Sequence, residues 1–333
     1  MLDTLSLDIL RGKKNLLAFS GGVDSTALFF LLIKQNIKFD IAIVDYTQRI
    51  QSKKEVEYAK SLAEKYHLTC HLHVAPQIEK NFESTARAIR YNFFEELIST
   101  CKYENLLTAH HLGDRFEWML MQFCKGAGCA EIAGMQKVQD RDNYKLLRPL
   151  LHVDKQELYK YLHVENIHYF EDASNQDEEI KRNSFRHNHS APLLDKYLNG
   201  IKKSFEYLDE DRQSLIPEVE IKRFDEISYF KSLNNKRSDI FIVDKILKSF
   251  DYMLSAKERE LLKDTSTLIV GRKFVLNWDR GFVFIAPFID EKIVMNHEFK
   301  ERCRVLKIEP KIRPYLYKNR DAFNYFCEFF SAL

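Results

Sequence analysis

Through the first half of the chain, short runs of apolar and β-branched residues alternate with longer stretches whose apolar positions recur every three or four residues. The runs at 15–19, 39–44, 69–74 and 105–109 predict strands, and the stretches at 25–34, 53–66, 85–100 and 114–123 predict helices. A fifth strand is expected around 144–147, closed by Arg148-Pro149-Leu150. Such alternation is the pattern of an α/β fold, a parallel sheet with helices on both faces. Right-handed crossovers put the C-terminal ends of parallel strands along one edge, so the loops that begin at Ser20, Asp45 and His110 are expected to converge on one crevice. From Val153 the pattern turns helical, and 171–189 is polar with little periodicity. Further helices are expected at 201–208, 239–250 and 256–263, and 267–285 reads as a hairpin turning at Asp279, Arg280 and Gly281. We expect a domain boundary near Gly200, giving an N-terminal domain 1–200 and a smaller helical and β module 201–333.

Composition narrows the class. A chain of 333 residues, 45% hydrophobic and 30% charged, suits a globular protein of two domains. The longest apolar runs, such as 27–33, fall far short of a membrane span, and the start is charged and not secretory, so a cytoplasmic protein is expected. Six cysteines without a Cys-x-x-Cys pair do not suggest a zinc ribbon or an iron–sulfur site. The net charge of +2 does not by itself mark a nucleic-acid binder. Basic residues do cluster, however, at Lys181, Arg182, Arg186, His187 and His189, and at Lys202 and Lys203.

The candidate chemistry starts at Ser20-Gly21-Gly22-Val23-Asp24-Ser25-Thr26, directly after the first predicted strand. Two glycines let backbone approach a ligand closely, and hydroxyls, N–H groups and a helix N-terminus make an anion cradle. It is neither the Gly-Lys-Ser/Thr phosphate loop nor the dinucleotide fingerprint. Asp45 ends the second strand, where it can bind a ribose or cap the next helix. Arg87, Arg90 and Tyr91 share a helix face, suited to polyphosphate or an RNA backbone, or else to a Glu83–Arg87 ion pair. After the fourth strand His110, His111, Asp114 and Glu117 emerge toward the same crevice. There Asp114 can bind Mg²⁺, and the group can balance triphosphate charge or move protons. Zinc lacks a fourth ligand at a characteristic spacing.

The Ser-Gly-Gly-x-Asp-Ser loop resembles that of the ATP pyrophosphatase (PP-loop) superfamily. Taken with Arg87–Tyr91, His110-His111-x-x-Asp114-x-x-Glu117, the glycine-rich 125–135, Arg148-Pro149-Leu150, Glu171-Asp172-x-Ser174-Asn175-x-Asp177 and Arg182-Asn183-x-x-Arg186, it is similar to the tRNA(Ile)-lysidine synthase family. The resemblance spans roughly 16–186 and implies an adenine nucleotide alpha-hydrolase-like, Rossmann-like domain. It also implies a ligase that adenylates C2 of the wobble cytidine of a tRNA(Ile) with a CAU anticodon, which free lysine then attacks to give lysidine, AMP and pyrophosphate. ATP and Mg²⁺ would be required, with tRNA(Ile) and free lysine as partners, no membrane, and a homodimer left open.

On the resemblance, Asp24, Arg87 and Asp114 would be catalytic. ATP would lie on Ser20 through Thr26 (Gly21, Gly22, Val23, Asp24 and Ser25 between them), Asp45 and His110. Asp45, Asp114, Glu117 and Asp172 would receive lysine, and Arg90, Arg182, Arg186, Lys202 and Lys203 the tRNA. Asp24 and Asp114 would hold Mg²⁺. Three positions depart from the family pattern: Gly113 and Arg115 stand where an aspartate and Gln are common, and Tyr46 where many members have His. The alternative is a tRNA sulfurtransferase using the same adenylation; the thiolases most easily confused with this family carry Cys-x-x-Cys pairs, which this chain lacks. A binding module without chemistry is the non-catalytic reading.

Overall fold

Alternation at the level of single residues builds the first sheet. Leu16, Ala42, Leu106 and Leu146 point to one apolar cluster with Phe93, Phe94 and Ile98, while Leu17, Ile41, Ile43, Leu107 and Leu147 point to a second, larger one. With both faces covered, the inner residues of the central strands are apolar, while the edge strands Cys70–Val74 (Cys-His-Leu-His-Val) and Val138–Asp140 (Val-Gln-Asp) carry polar residues. The computed structural model describes residues 1–47, 50–78, 80–141, 143–171, 181–215 and 217–332. They divide into two compact units, Met1–Asp211 and Arg212–Leu333.

In the first unit, helix α1 (Thr4–Leu10) leads into β1 (Asn15–Ala18), α2 (Val23–Lys34), β2 (Asp40–Asp45), α3 (Ile50–Tyr66), β3 (Cys70–Val74), α4 (Phe82–Cys101), β4 (Asn105–Leu107), α5 (Leu112–Phe123), a short α6 (Cys129–Ile132), β5 (Val138–Asp140), β6 (Lys145–Leu147) and α7 (Lys155–Val164). Then come α8 (Lys181–Phe185), a π-helical turn (Arg186–Ser190) and α9 (Ala191–Leu215). The strand order is β3-β2-β1-β4-β6-β5, parallel except for the antiparallel edge strand β5, which sequence reasoning did not anticipate. The chain runs outward from β1 to β3 and then returns to the other side of β1. The order therefore reverses between β1 and β4, the switch point where open α/β sheets bind ligands.

The expected boundary at Gly200 falls inside α9, and the division comes eleven residues later, after Asp211. Apolar residues carry the helix past Gly200: Leu194, Leu198, Ile201, Phe205 and Leu208 pack with Leu112 and Phe116 of α5. A break in helical geometry at Tyr197 (φ −129°, ψ 24°) bends α9. In the second unit, β7 (Lys222–Phe224), β8 (Ile227–Lys231), β9 (Thr267–Val270), β10 (Phe274–Asp279) and β11 (Phe282–Pro287) form an antiparallel sheet in the order β7-β8-β11-β10-β9. Helices α10 (Lys236–Lys248), α11 (Ala256–Asp264), α12 (His297–Val305), α13 (Arg313–Lys318) and α14 (Arg320–Ala332) accompany it. The expected hairpin is the β10–β11 pair, turning on Arg280 (φ 46°) and Gly281 (φ 77°) as a two-residue loop of this twist requires. No described helix is long and apolar enough to cross a membrane.

Candidate active site

The loop between β1 and α2 is held open by its own hydroxyls. Ser20 donates its backbone N–H to Ser25 Oγ at 3.2 Å, the two serine Oγ atoms stand 3.1 Å apart, and Ser25 Oγ donates to the Gly22 carbonyl at 3.2 Å. Gly21 has φ +75°, and a Cβ there would press on Phe170 at 3.2 Å. Phe170 in turn donates its N–H to the Gly21 carbonyl at 2.9 Å, so a residue 149 positions away in sequence lines the loop. Gly22 caps α2 with no side chain, and the first N–H groups of a helix have no acceptor within it. These groups suit the oxygens of a polyphosphate.

Asp24, in the first turn of α2, has its Oδ1 buried without a hydrogen-bond partner; Thr26 Oγ1 is in the same condition. Burial raises the Asp24 carboxyl above its ordinary value, against the pull of His111, Lys155 and Arg186, and Asp114 adds to the rise. A half-buried carboxylate with one orphaned oxygen beside an anion cradle suits a hard cation, and magnesium commonly takes one or two carboxylates plus substrate phosphates. Among the described residues no three or more His, Cys, Asp or Glu side chains cluster as a complete metal cage.

At the end of β4, the backbone turns into α5 through a cap made by His111. Its Nδ1 accepts the Gly113 N–H at 3.0 Å, while Asp114 Oδ2 accepts the His111 N–H at 3.1 Å. With Nδ1 accepting, the neutral ring carries its proton on Nε2, which lies 3.6 Å from Asp114 Oδ2 and 3.9 Å from Asp24 Oδ2. His111 thus stands between the two carboxylates. The cap explains Gly113: a Cβ there would come within 2.7 Å of His111 Cε1, so an aspartate at 113 could not share this arrangement. His110 is bound to Thr108 Oγ1 at 2.9 Å. Burial, reinforced by Arg148, Arg182 and Arg87 and opposed by Asp114, pushes its imidazole down to about 4. It is neutral at pH 7 and carries no charge into the crevice.

Asp114 and Glu117, one helical turn apart on α5, face two guanidinium groups. Arg182 Nη2 and Arg186 Nη2 reach Asp114 Oδ1 at 3.1 and 3.4 Å. Arg186 Nε lies 3.0 Å from Glu117 Oε2, and Arg182 Nε bonds Glu117 Oε1 closely. Burial alone would raise the Asp114 carboxyl; His111, His110, Arg182 and Arg186 outweigh it and hold the group well below the usual carboxylate range. Arg182 is held above its ordinary value, because Asp114, Glu117 and Glu83 overcome the burial that favours its neutral form. Both Asp114 oxygens are therefore engaged.

A family model described as a PP-loop domain matches residues 3–191. The tRNA(Ile)-lysidine synthase of Helicobacter pylori (strain ATCC 700392 / 26695) is 43% identical over 93% of this chain and 91% of its own length. That of Wolinella succinogenes is 44% identical over 92% and 94%, and that of Campylobacter jejuni strain RM1221 is 40% identical over 94% and 95%. The chain belongs to the tRNA(Ile)-lysidine synthase family. Among solved structures, NcsA, a U34-tRNA thiolase of Methanococcus maripaludis, aligns over 64% of this chain and 76% of its own with a TM-score of 0.51 at 16% identity, a likeness of fold alone.

Other residues that the family pattern singled out are distributed unevenly. Asp45 Oδ1 accepts the Thr47 N–H at 2.8 Å, a turn contact at the end of β2. Tyr46, in place of the family's usual His, donates its hydroxyl to the Ala86 carbonyl at 3.0 Å and is paired with Arg90, so it docks α4 against the end of β2. Arg87 lies over the Tyr91 ring at 4.7 Å, exposed on α4. Lys202 and Lys203, expected in the C-terminal module, lie in the first unit and are ion-paired to Glu157 (2.8 Å) and Glu206 (2.7 Å). They were misplaced because the helix runs through the expected boundary. Asp172, with Ser174, Asn175 and Asp177, lies outside the described residues. Two participants were undervalued: His111, whose bridging position needs the helix cap, and Lys155, which acts electrostatically on Asp24 from the start of α7.

Proposed function

We propose that this chain carries out the family's reaction in the cytoplasm: ATP-dependent joining of free lysine to C2 of the wobble cytidine of tRNA(Ile) bearing a CAU anticodon. The observation that carries the reading is the pairing of an anion cradle having an orphaned carboxylate oxygen with an acid pair, across the switch point of a PP-loop sheet. ATP lies with its β- and γ-phosphates on the Ser20–Ser25 backbone. The cytidine C2 oxygen attacks the α-phosphorus, the bond from α-phosphorus to the bridging oxygen breaks, and pyrophosphate leaves against the N–H groups of α2. Asp24 is the residue that would hold Mg²⁺, which when bound offsets charge on the departing pyrophosphate. Asp114, with both oxygens engaged, serves here as an anchor for arginines more than as a metal ligand. Arg87 and neutral His110 flank the triphosphate.

The lysine ε-amine then attacks C2, the C2–O bond breaks, and AMP leaves. Free lysine is protonated at neutral pH and must lose a proton before it attacks. Glu117 and Asp114 fit its ammonium, a role for which Arg182 and Arg186 now stand in. Those arginines, with Arg90, fit tRNA phosphates, and moving from carboxylates to phosphates would open the acid pair as RNA arrives. The test is incorporation of labelled lysine into a CAU-anticodon tRNA(Ile) transcript by purified protein. Incorporation that requires both ATP and the wobble cytidine is expected. Pyrophosphate release without lysine incorporation would refute the assigned nucleophile, and no pyrophosphate at all would refute the adenylation.

A further inference from the structure

We infer that Arg115 is a positioning residue for this reaction, which sets the orientation of α5 through Asp209 and the Ala133 carbonyl and so places Asp114 and Glu117. Arg115 is wholly buried, yet it carries a charge. Its Nε and Nη2 donate to the Ala133 carbonyl at 3.2 and 2.9 Å, its Nη1 and Nη2 donate to the two oxygens of Asp209 at 2.9 and 2.5 Å, and its Cζ lies 4.3 Å from the centre of the Phe205 ring. One guanidinium therefore ties three segments together: α5, the end of α6, and α9 beyond its bend at Tyr197.

Apolar packing would not fix this geometry. Between α5 and α9 lies an apolar groove of about 100 Å³ lined by Phe116, Met119, Ile201, Ser204, Phe205 and Leu208. Side chains around such a space can shift without loss of contact, whereas a planar fork bound at both ends accepts one direction. Successive helix residues are turned by about 100°. Asp114 and Glu117 consequently share one face while Arg115, beside Asp114, points away from it to the clamp. A rotation of α5 on release of the clamp would carry both carboxylates with it.

The inference rests on the assignment of the acid pair to lysine, and the experiment separates the two. In the full chain, Arg115→Gln, Arg115→Lys, Asp209→Asn and Glu117→Gln are compared for lysine KM and kcat well below their melting temperatures, with melting curves recorded alongside. Arg115→Gln and Asp209→Asn are each expected to raise the lysine KM by about 10-fold or more, and a variant combining the two should be no worse than the worse single, as for two partners in one contact. Arg115→Lys should fall between, because an ammonium keeps charge but loses the fork. If Arg115→Gln does not fold, Asp209→Asn decides, since that side chain is 36% exposed. Lowered melting with unchanged lysine KM would reduce the clamp to a structural role and overturn the inference. A shift in Glu117→Gln with none in Arg115→Gln or Asp209→Asn would overturn the clamp alone, and an unchanged Glu117→Gln would overturn the acid-pair reading beneath it.

Discussion

In the second unit, Asp239 is buried and its oxygens are closed by the scaffold: Leu233 N–H at 2.9 Å, Ser232 Oγ at 2.6 Å and Trp278 Nε1 at 3.0 Å. In the first unit, Asp24 keeps one buried oxygen with no partner, and the Asp114–Glu117 pair is met by arginine side chains that are 36% and 24% exposed. A carboxylate closed off by its own scaffold has nothing left for a ligand. One with an orphaned oxygen, or with partners that can swing away, pays a cost in the ligand-free state that binding can recover. Burial alone does not separate structural from functional acids; whether an oxygen is left without a partner, or is met by exposed side chains and not by the buried scaffold, does.

The largest expected effect is on chemistry. Asp24→Asn should slow pyrophosphate release by about 10²–10³-fold, the usual scale for removing one electrostatic stabiliser of a transition state. Its melting temperature at neutral pH should not fall. The native carboxyl is raised by burial, so its ionised form costs stability above the usual carboxylate range, and a neutral amide removes that cost. Retained turnover, or a marked loss of stability, would erase the contrast with Asp239.

The mirror-image variant comes next. Asp239→Ala strands the Trp278 and Leu233 donors and should cost about 3 kcal/mol of stability. Pyrophosphate release well below the melting temperature should be unchanged. A kinetic defect without a drop in denaturation midpoint would place Asp239 among the functional acids.

The smallest effect is a dependence on pH. His110 has its pKa depressed from 6.5 to about 4, so between those values the unfolded chain binds the proton that the native one refuses. Its contribution is present above the unfolded pKa and is lost as pH falls through this window. His110→Asn should flatten the decline of melting temperature between pH 6.5 and 4 relative to the wild type. Parallel profiles would show that the ring is not the neutral group that the burial implies.

Much of the first unit could be read from the chain because its signals are local. Apolar runs placed β1 to β4 to within a residue or two, and two glycines between a strand and a helix marked the anion cradle. The edge strand β5, at three residues, carried no periodicity long enough to detect. Strand β7 is equally short, and β8 takes its second partner from distant β11 and not from a repeated local pattern. The misjudged boundary has its cause in packing, since a glycine on an exposed helix interior weakens a helix by about 1 kcal/mol while apolar contacts to α5 hold it.

Residue identity and spacing were enough to place the sheet, the glycine loop after β1 and the acids on α5, because strand period, glycine freedom and helical spacing are properties of neighbouring residues. Which histidine bridges two carboxylates, what lines the glycine loop and why Arg115 is charged in a core depend on partners brought from up to 149 positions away, Phe170 against Gly21 being the farthest. Those facts are distances and burial, and only the folded chain has them.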